Sequence, residues 1–162
     1  MALEPIVVET IVKVSQRAAF VGFTARFAEW WPLHSHSVSA ARGGPPPQSL
    51  IIEPWVGGRL LETGADGEGH LWGSVRVWDE FSALVFDWHV GRSAALATRV
   101  SVTFAMVDDG RTAITLVHDN WEVLGAEGAA IHARNAGGWS KLIGELFKTY
   151  VERGDAAAVP IR

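Results

Sequence analysis

Cysteine is absent from the 162-residue chain, which removes disulfides, thiolate nucleophiles and cysteine-ligated zinc, and fits a reducing compartment. No apolar run approaches the roughly 18 residues a bilayer-spanning helix needs. The opening MALEPIVVETIV brings acids early and lacks the basic segment of a secretory leader, so a cytoplasmic location is expected. Surplus positive charge is missing as well. Eighteen acids against 14 lysines and arginines leave a net charge of -4 with no basic face, so neither nucleic acid nor an anionic membrane surface is an expected partner. Short catalytic signatures are also lacking: there is no Gly-x-Ser-x-Gly elbow, phosphate loop, dinucleotide fingerprint or His-Glu-x-x-His. The sequence therefore predicts no catalytic residue, no metal and no cofactor, although a triad assembled from distant segments would escape such a search.

Aromatic side chains are plentiful. Eight tryptophans in a chain with 48% apolar and 20% charged residues either fill a large core or line a hollow one. The length is that of one domain spanning 1–162, with a core from about residue 5 to 153 and a tail over 154–162.

Along the chain, residues 6–14 alternate with Val8, Thr10, Val12 and Val14 on one face, as in a half-buried strand. Ser15 stands at a helix N-cap, and Phe20, Phe23, Phe27 and Trp30 or Trp31 recur at helical spacing until Pro32 stops them. Two short helices are predicted there. Residues 33–48, with Gly43-Gly44-Pro45-Pro46-Pro47, read as a long exposed loop. His34 and His36 lie in it without a third metal ligand at useful spacing, and solvated histidines are the expectation.

Strands follow over 50–53, 59–63, 70–78, 84–90, 99–107 and 112–118, joined by tight turns such as Asp66-Gly67 and Asp109-Gly110. Alternation groups Leu84, Phe86 and Trp88; Val100, Val102, Phe104 and Met106; and Ile114, Leu116 and His118. Trp72 and Trp78 share a face with His70, Ser74 and Arg76, and the pattern leaves open whether that face is inner.

The last segment, about 125–153, places Trp139, Leu142, Ile143, Leu146, Phe147 and Tyr150 on one helical face. Such a stripe requires burial, and the meander before it is the available partner. The predicted fold is α+β, a helix-grip in which a curved antiparallel sheet of six or seven strands closes around a long C-terminal helix. A curved sheet and a straight helix meet along a line, leaving room for a cavity beside it. Gly137 and Gly138 interrupt this helix at a cost of about 1 kcal/mol each against alanine. Close approach to the sheet, a kink, or space left for a ligand are the three readings.

The polar residue placed inward by alternation is His118, which serves as a hydrogen-bonded core histidine, a ligand contact or an acid/base. Phe86, Trp88, Phe104 and Leu116 face inward with it, as core or as ligand wall. Trp31 ends the helical hairpin, where it packs beneath it or gates a cavity. Trp139 heads the stripe, and Asn135, one turn earlier, offers an amide to a ligand or to water.

The segments EWWP (Glu29 to Pro32), IEPWVGGRLLE (Ile52 to Glu62), GSVRVWDEFSALVFDW (Gly73 to Trp88), VTFAMVDDGRTAITLVH (Val102 to His118) and NAGGWSKLIGEL (Asn135 to Leu146) follow one another in the order and spacing of the START-like (SRPBCC) superfamily. The chain resembles most the branch named for activators of the heat-shock-protein ATPase. It departs in the long, proline-rich 33–48 loop and in Asp119-Asn120-Trp121 after the strand histidine. The resemblance implies an internal cavity for an apolar or amphipathic small molecule, and the residues that strand and helix spacing place to line it are Trp31, Phe86, Trp88, Phe104, Leu116, His118, Asn135 and Trp139. It also leaves open a cyclase- or hydrolase-like enzyme using His118, a co-chaperone with an exposed apolar patch around 33–48, and a homodimer.

Overall fold

The computed structural model describes residues 3–153; the expected tail at 154–162 lies outside them. Strand β1 (Ile6–Val12) is followed by helices α1 (Gln16–Thr24) and α2 (Phe27–Trp30). Ser15 caps α1 by accepting from the Ala18 amide at 3.1 Å, and the extended backbone at Trp31 before Pro32 ends α2. A third short helix, α3 (Val38–Ala41), lies in the segment expected to be loop throughout.

Strands β2 (Ser49–Ile52), β3 (Arg59–Thr63), β4 (Gly69–Asp79), β5 (Ala83–Trp88), β6 (Thr98–Asp108) and β7 (Arg111–Asp119) complete one antiparallel sheet ordered β1-β7-β6-β5-β4-β3-β2. Apart from β4, the strands bury alternate residues, so the inner face carries Val12, Leu60, Phe86, Val102, Ile114 and their neighbours. Register shifts between Leu60 and Leu61 and between Val75 and Val77 bend the sheet. The first leaves Trp72 without an opposite number on β3, which ends strict alternation in β4: Trp72 and Val75 both point inward, whereas even spacing set them on opposite faces. Gly73 is obligatory beside this bulge, because a Cβ there would collide with the Asp87 carbonyl. Met106 also departs from expectation, since β6 runs past the core before its irregularity at Met106 and Asp108, leaving the side chain 62% exposed.

The sheet is curled into a half-barrel around the C-terminal helix, the helix-grip predicted from the sequence. Asn120 adopts left-handed backbone (φ 66°) and turns β7 into a 3-10 segment, Trp121–Glu127, interrupted at Gly125. Helix α4 (Gly128–Lys141) then runs through a π-helical stretch, Leu142–Phe147, into α5 (Lys148–Glu152). The wider π turn keeps a four-residue step on one line, and Trp139, Ile143, Phe147 and Val151 form the most deeply buried row, with Leu146 left at its margin. The free edge of β1 is held by this helix: Lys148 donates to the Ile11 carbonyl at 2.6 Å, His132 to the Glu4 carbonyl at 2.8 Å, and the Lys13 amide to Glu152 at 2.9 Å. Among the described residues, no helix is long and apolar enough to cross a membrane.

Candidate functional site

Three elements deliver one tryptophan each to the space between sheet and helix. Trp31 comes from the end of α2, Trp88 from the end of β5 and Trp139 from α4. Their rings form a closed triangle, with centroids 5.9 Å apart for Trp31 and Trp88, 5.9 Å for Trp31 and Trp139, and 5.4 Å for Trp88 and Trp139. Trp72 touches the first two from beneath, at 5.5 and 5.7 Å. Edge-to-face and tilted contacts of this kind contribute roughly 0.5–1.5 kcal/mol per pair beyond area burial. Trp31 and Trp88 keep 6% of their surface and Trp139 2%, so the triangle reaches the surface only at its outer rim. Where a hollow was expected, these rings fill the space against one another.

His118 lies directly under the triangle, with 1% of its surface exposed. The Trp139 Nε1–H donates to His118 Nδ1 at 2.8 Å, and because an indole nitrogen only donates, the imidazole proton resides on Nε2. Nε2 then donates to Thr98 Oγ1 at 2.7 Å, and the Thr98 hydroxyl donates to the Trp88 carbonyl at 3.1 Å. Trp121 packs at a tilt against the imidazole, with ring centroids 4.1 Å apart, and its indole donates to the His118 carbonyl at 2.9 Å. Burial pushes the imidazole pKa down to about 3, Arg92 adds to the effect, and Asp119 opposes it. Neutral and with both nitrogens engaged, His118 has no free lone pair with which to accept a substrate proton in this arrangement.

The remaining expected residues divide. Phe86 and Leu116 lie buried one inward position before Trp88 and His118 on their strands. Phe104 is set apart, packing against Phe20 and Phe23 of α1 at 5.2 and 5.7 Å. Asn135 is half-buried, and its amide donates to the Ile131 carbonyl of its own helix at 2.8 Å. Gly137 and Gly138 make no close approach to the sheet: a Cβ on either would meet nothing within 4 Å.

A second buried polar group was not anticipated. Glu62 on β3 is fully buried without a cation, and accepts from the Val38 amide at 2.8 Å, the Ser39 amide at 2.9 Å, the Ser39 hydroxyl at 2.6 Å and Trp72 Nε1 at 2.9 Å. Burial alone would raise its pKa, but the donors outweigh burial and hold the carboxyl below its ordinary range. The carboxylate thereby pins α3, and the 33–48 segment with it, to the sheet under Trp72. Its signal was present in the sequence, since Glu62 alternates in phase with inward Leu60; Thr98 likewise extends the inward series of Val100 and Val102 by one step. Trp121 gave no such signal, because it follows a left-handed turn. Beside α3 an open cleft of about 430 Å³ is lined by Ser39, Arg42, Pro45, Asp66 and His70, and contains none of the eight expected residues. No group of three or more potential metal ligands occurs among the described residues, and His36 Nδ1 is within 2.8 Å of the Ser35 hydroxyl.

Comparison with curated proteins finds no match. Among solved structures, an anthrahydroquino-γ-pyrone synthase in complex with a compound, SUM, is 28% identical over 81% of this chain and 86% of its own, with a TM-score of 0.56. A self-sacrificing resistance protein, CalC from Micromonospora echinospora, is 24% identical over 92% and 94%, with a TM-score of 0.67. The Aha1 dimer from Colwellia psychrerythraea is 15% identical over 94% and 99%, with a TM-score of 0.66, a likeness of fold alone. Residues 19–152 match the model of the family described as activator of Hsp90 ATPase homolog 1-like protein, and with most of its length so matched the chain belongs to that family.

Proposed function

We propose that the protein binds an apolar or amphipathic small molecule between the sheet and the C-terminal helix, entering at Trp31, Trp88 and Trp139. The carrying observation is the triangle itself. It is made of three large rings from separate elements, closed by ring contacts rather than covalent or ionic ties. A flat apolar molecule entering among the rings offers them new ring contacts in exchange for those it displaces. The two glycines preceding Trp139 leave the helix surface open beside it. A relative 28% identical is a synthase solved with a compound bound, which supports the same use of this fold here. The state of His118 favours binding over proton transfer, since its polar atoms brace the floor of the site. Native mass spectrometry of the purified protein, with tryptophan emission followed during titration of aromatic compounds, tests the reading. A retained small molecule, or saturable quenching lost in Trp139→Ala with the fold intact, is expected; linear, non-saturable quenching would remove it.

A homodimer is a second reading, favoured by one feature of the outer sheet face. Ile51, Leu61 and Leu71 are paired across β2, β3 and β4, and the outer two are 47% and 42% exposed. Trp55 and Val56 are also exposed, whereas Leu33 and Val38 in the 33–48 segment are partly buried, so the exposed patch is not where the sequence placed it. Light scattering of the native chain and of Leu71→Glu decides it: a monomeric mass for both ends this reading.

A further inference from the structure

Helix α4 has a stripe with an unusual make-up. Arg134, Gly137, Gly138 and Lys141 fall at steps of three and four, so two cations bracket a gap where side chains are missing. No acid occurs anywhere in α4. Two loops approach the helix through the ring contacts of Trp31 and Trp88 with Trp139: one carries Arg92 just after β5, the other His34 and His36 just after α2.

Two of the loop groups are shifted by burial and by the stripe. Arg92 is held below the ordinary guanidinium range by burial and by the like charge of Arg134. His36 is lowered by burial and then by His34 and Lys141. Arg92 spends its donors on backbone, reaching the Trp88 carbonyl at 3.0 Å and the Leu96 carbonyl at 3.4 Å. Arg134 and Lys141 have no hydrogen bond or ion pair among the described residues. In a chain whose net charge is -4, and in which Arg26, Arg42, Arg59, Arg76, Arg99 and Arg111 all have acidic partners, cations gathered without one are distinctive. The same two loops tie Trp31 to His36 (Trp31 Nε1 donates to the His36 carbonyl at 2.7 Å) and Trp88 to Arg92, so Arg92 and the neutral His36 stand at the rim of the triangle, beside the cations of the stripe.

We propose that the surface between the Arg134–Lys141 stripe and the loops of Arg92 and His36 recognises the acidic group of a small organic anion. The anion is an oxyanion, carboxylate, sulfonate or phenolate, attached to an apolar body that occupies the tryptophan site. This rests on the small-molecule reading above and adds the sign of the ligand's charge. Arg134 and Lys141 supply long-range attraction across the glycine gap, and the half-buried Arg92, already anchored on Trp88, supplies a short-range contact where water is partly excluded.

Two dyes separate the two readings: 1-anilinonaphthalene-8-sulfonate, an anion, and N-phenyl-1-naphthylamine, its neutral counterpart. Both are titrated against the native chain with tryptophan-to-dye energy transfer as the readout. The sulfonate is expected to bind about tenfold tighter than the amine and to weaken as salt rises. Arg134→Gln and Lys141→Gln, whose side chains brace nothing else, should each cut sulfonate affinity severalfold and leave the amine unchanged. Arg42→Gln, which removes the same charge beside the other cleft, should change neither. Equal affinity for the two dyes, or a sulfonate affinity indifferent to Arg134 and Lys141, overturns the anion proposal while the apolar site stands. Loss in Arg42→Gln alone assigns the anion to the cleft beside α3 and overturns it too. Failure of both dyes to bind removes the small-molecule reading and the proposal together.

Discussion

The indole of Trp139 donates to Nδ1 of His118 at 2.8 Å, tying the C-terminal helix to β7 through a buried polar contact inside an otherwise aromatic interface. A donor-only partner on one nitrogen dictates the proton's place on the other, and a neutral ring follows. Trp139→Phe preserves an aromatic ring but strands the buried Nδ1 lone pair, a loss of about 1–3 kcal/mol. Urea denaturation should show that drop. Nitrogen-15 spectra of the native protein should show His118 protonated on Nε2 alone; an imidazolium pattern at neutral pH would contradict the geometry.

The same ring makes the fold acid-sensitive. The His118 pKa near 3 in the folded state lies below its ordinary value of 6.5, so as pH falls the unfolded chain takes up the proton first. Its contribution is complete above pH 6.5 and is withdrawn as pH falls toward 3, at up to about 1.4 kcal/mol per pH unit. Glu62, also lowered, adds to the loss only at the acid end, as pH falls below the ordinary carboxyl range and through its folded value. Urea midpoints should therefore already decline between pH 6.5 and 4.5, where His118 acts without Glu62, and more steeply below 4.5, where Glu62 joins it. His118→Gln should flatten that decline, and an equally steep one in the variant would assign the sensitivity elsewhere.

Two glycines of this chain should answer oppositely to alanine. At Gly138 a Cβ meets nothing within 4 Å, so Gly138→Ala should stabilise the helix by about 1 kcal/mol. At Gly73 the added carbon strikes the Asp87 carbonyl on the neighbouring strand, and Gly73→Ala should destabilise by several times that amount or prevent folding. Thermal denaturation of the two variants reads both directions. Destabilisation by Gly138→Ala would mean that the helix surface there is not open.

These contrasts mark where sequence patterning succeeds. Strand positions followed from period-two alternation, and the inward placing of His118, Trp88 and Leu116 followed with them, because Ala83–Trp88 of β5 and Thr112–His118 of β7 each meet β6 in unbroken register. Where a bulge inserts a residue, as at Trp72, alternation loses its phase, and nothing local in the chain announces it. The π stretch was hidden for a related reason: steps of three and four suit either winding. Whether rings line a space or fill it depends on distances among Trp31, Trp72, Trp88 and Trp139, which come from four separate elements and have no imprint in local spacing.

Glu62 supplies the most direct test of how the site is assembled. Four donors converge on its carboxylate, two of them amides at the start of α3 and one the indole that supports Trp31 and Trp88. Glutamine at this position offers one carbonyl oxygen and turns an NH2 group toward groups that are themselves donors. Each lost contact to the charged group removes about 1.5–3 kcal/mol, and the loss falls mainly on the tether of residues 33–48. Glu62→Gln should accordingly raise hydrogen exchange and proteolytic cleavage between Leu33 and Gln48 well before global unfolding, and Ser39→Ala should do so more weakly. Because that segment carries His36, whose carbonyl holds the Trp31 indole, loosening it should also redden and broaden tryptophan emission. Unchanged exchange in Glu62→Gln would show that the segment is held by its own packing and that the buried carboxylate is not its anchor.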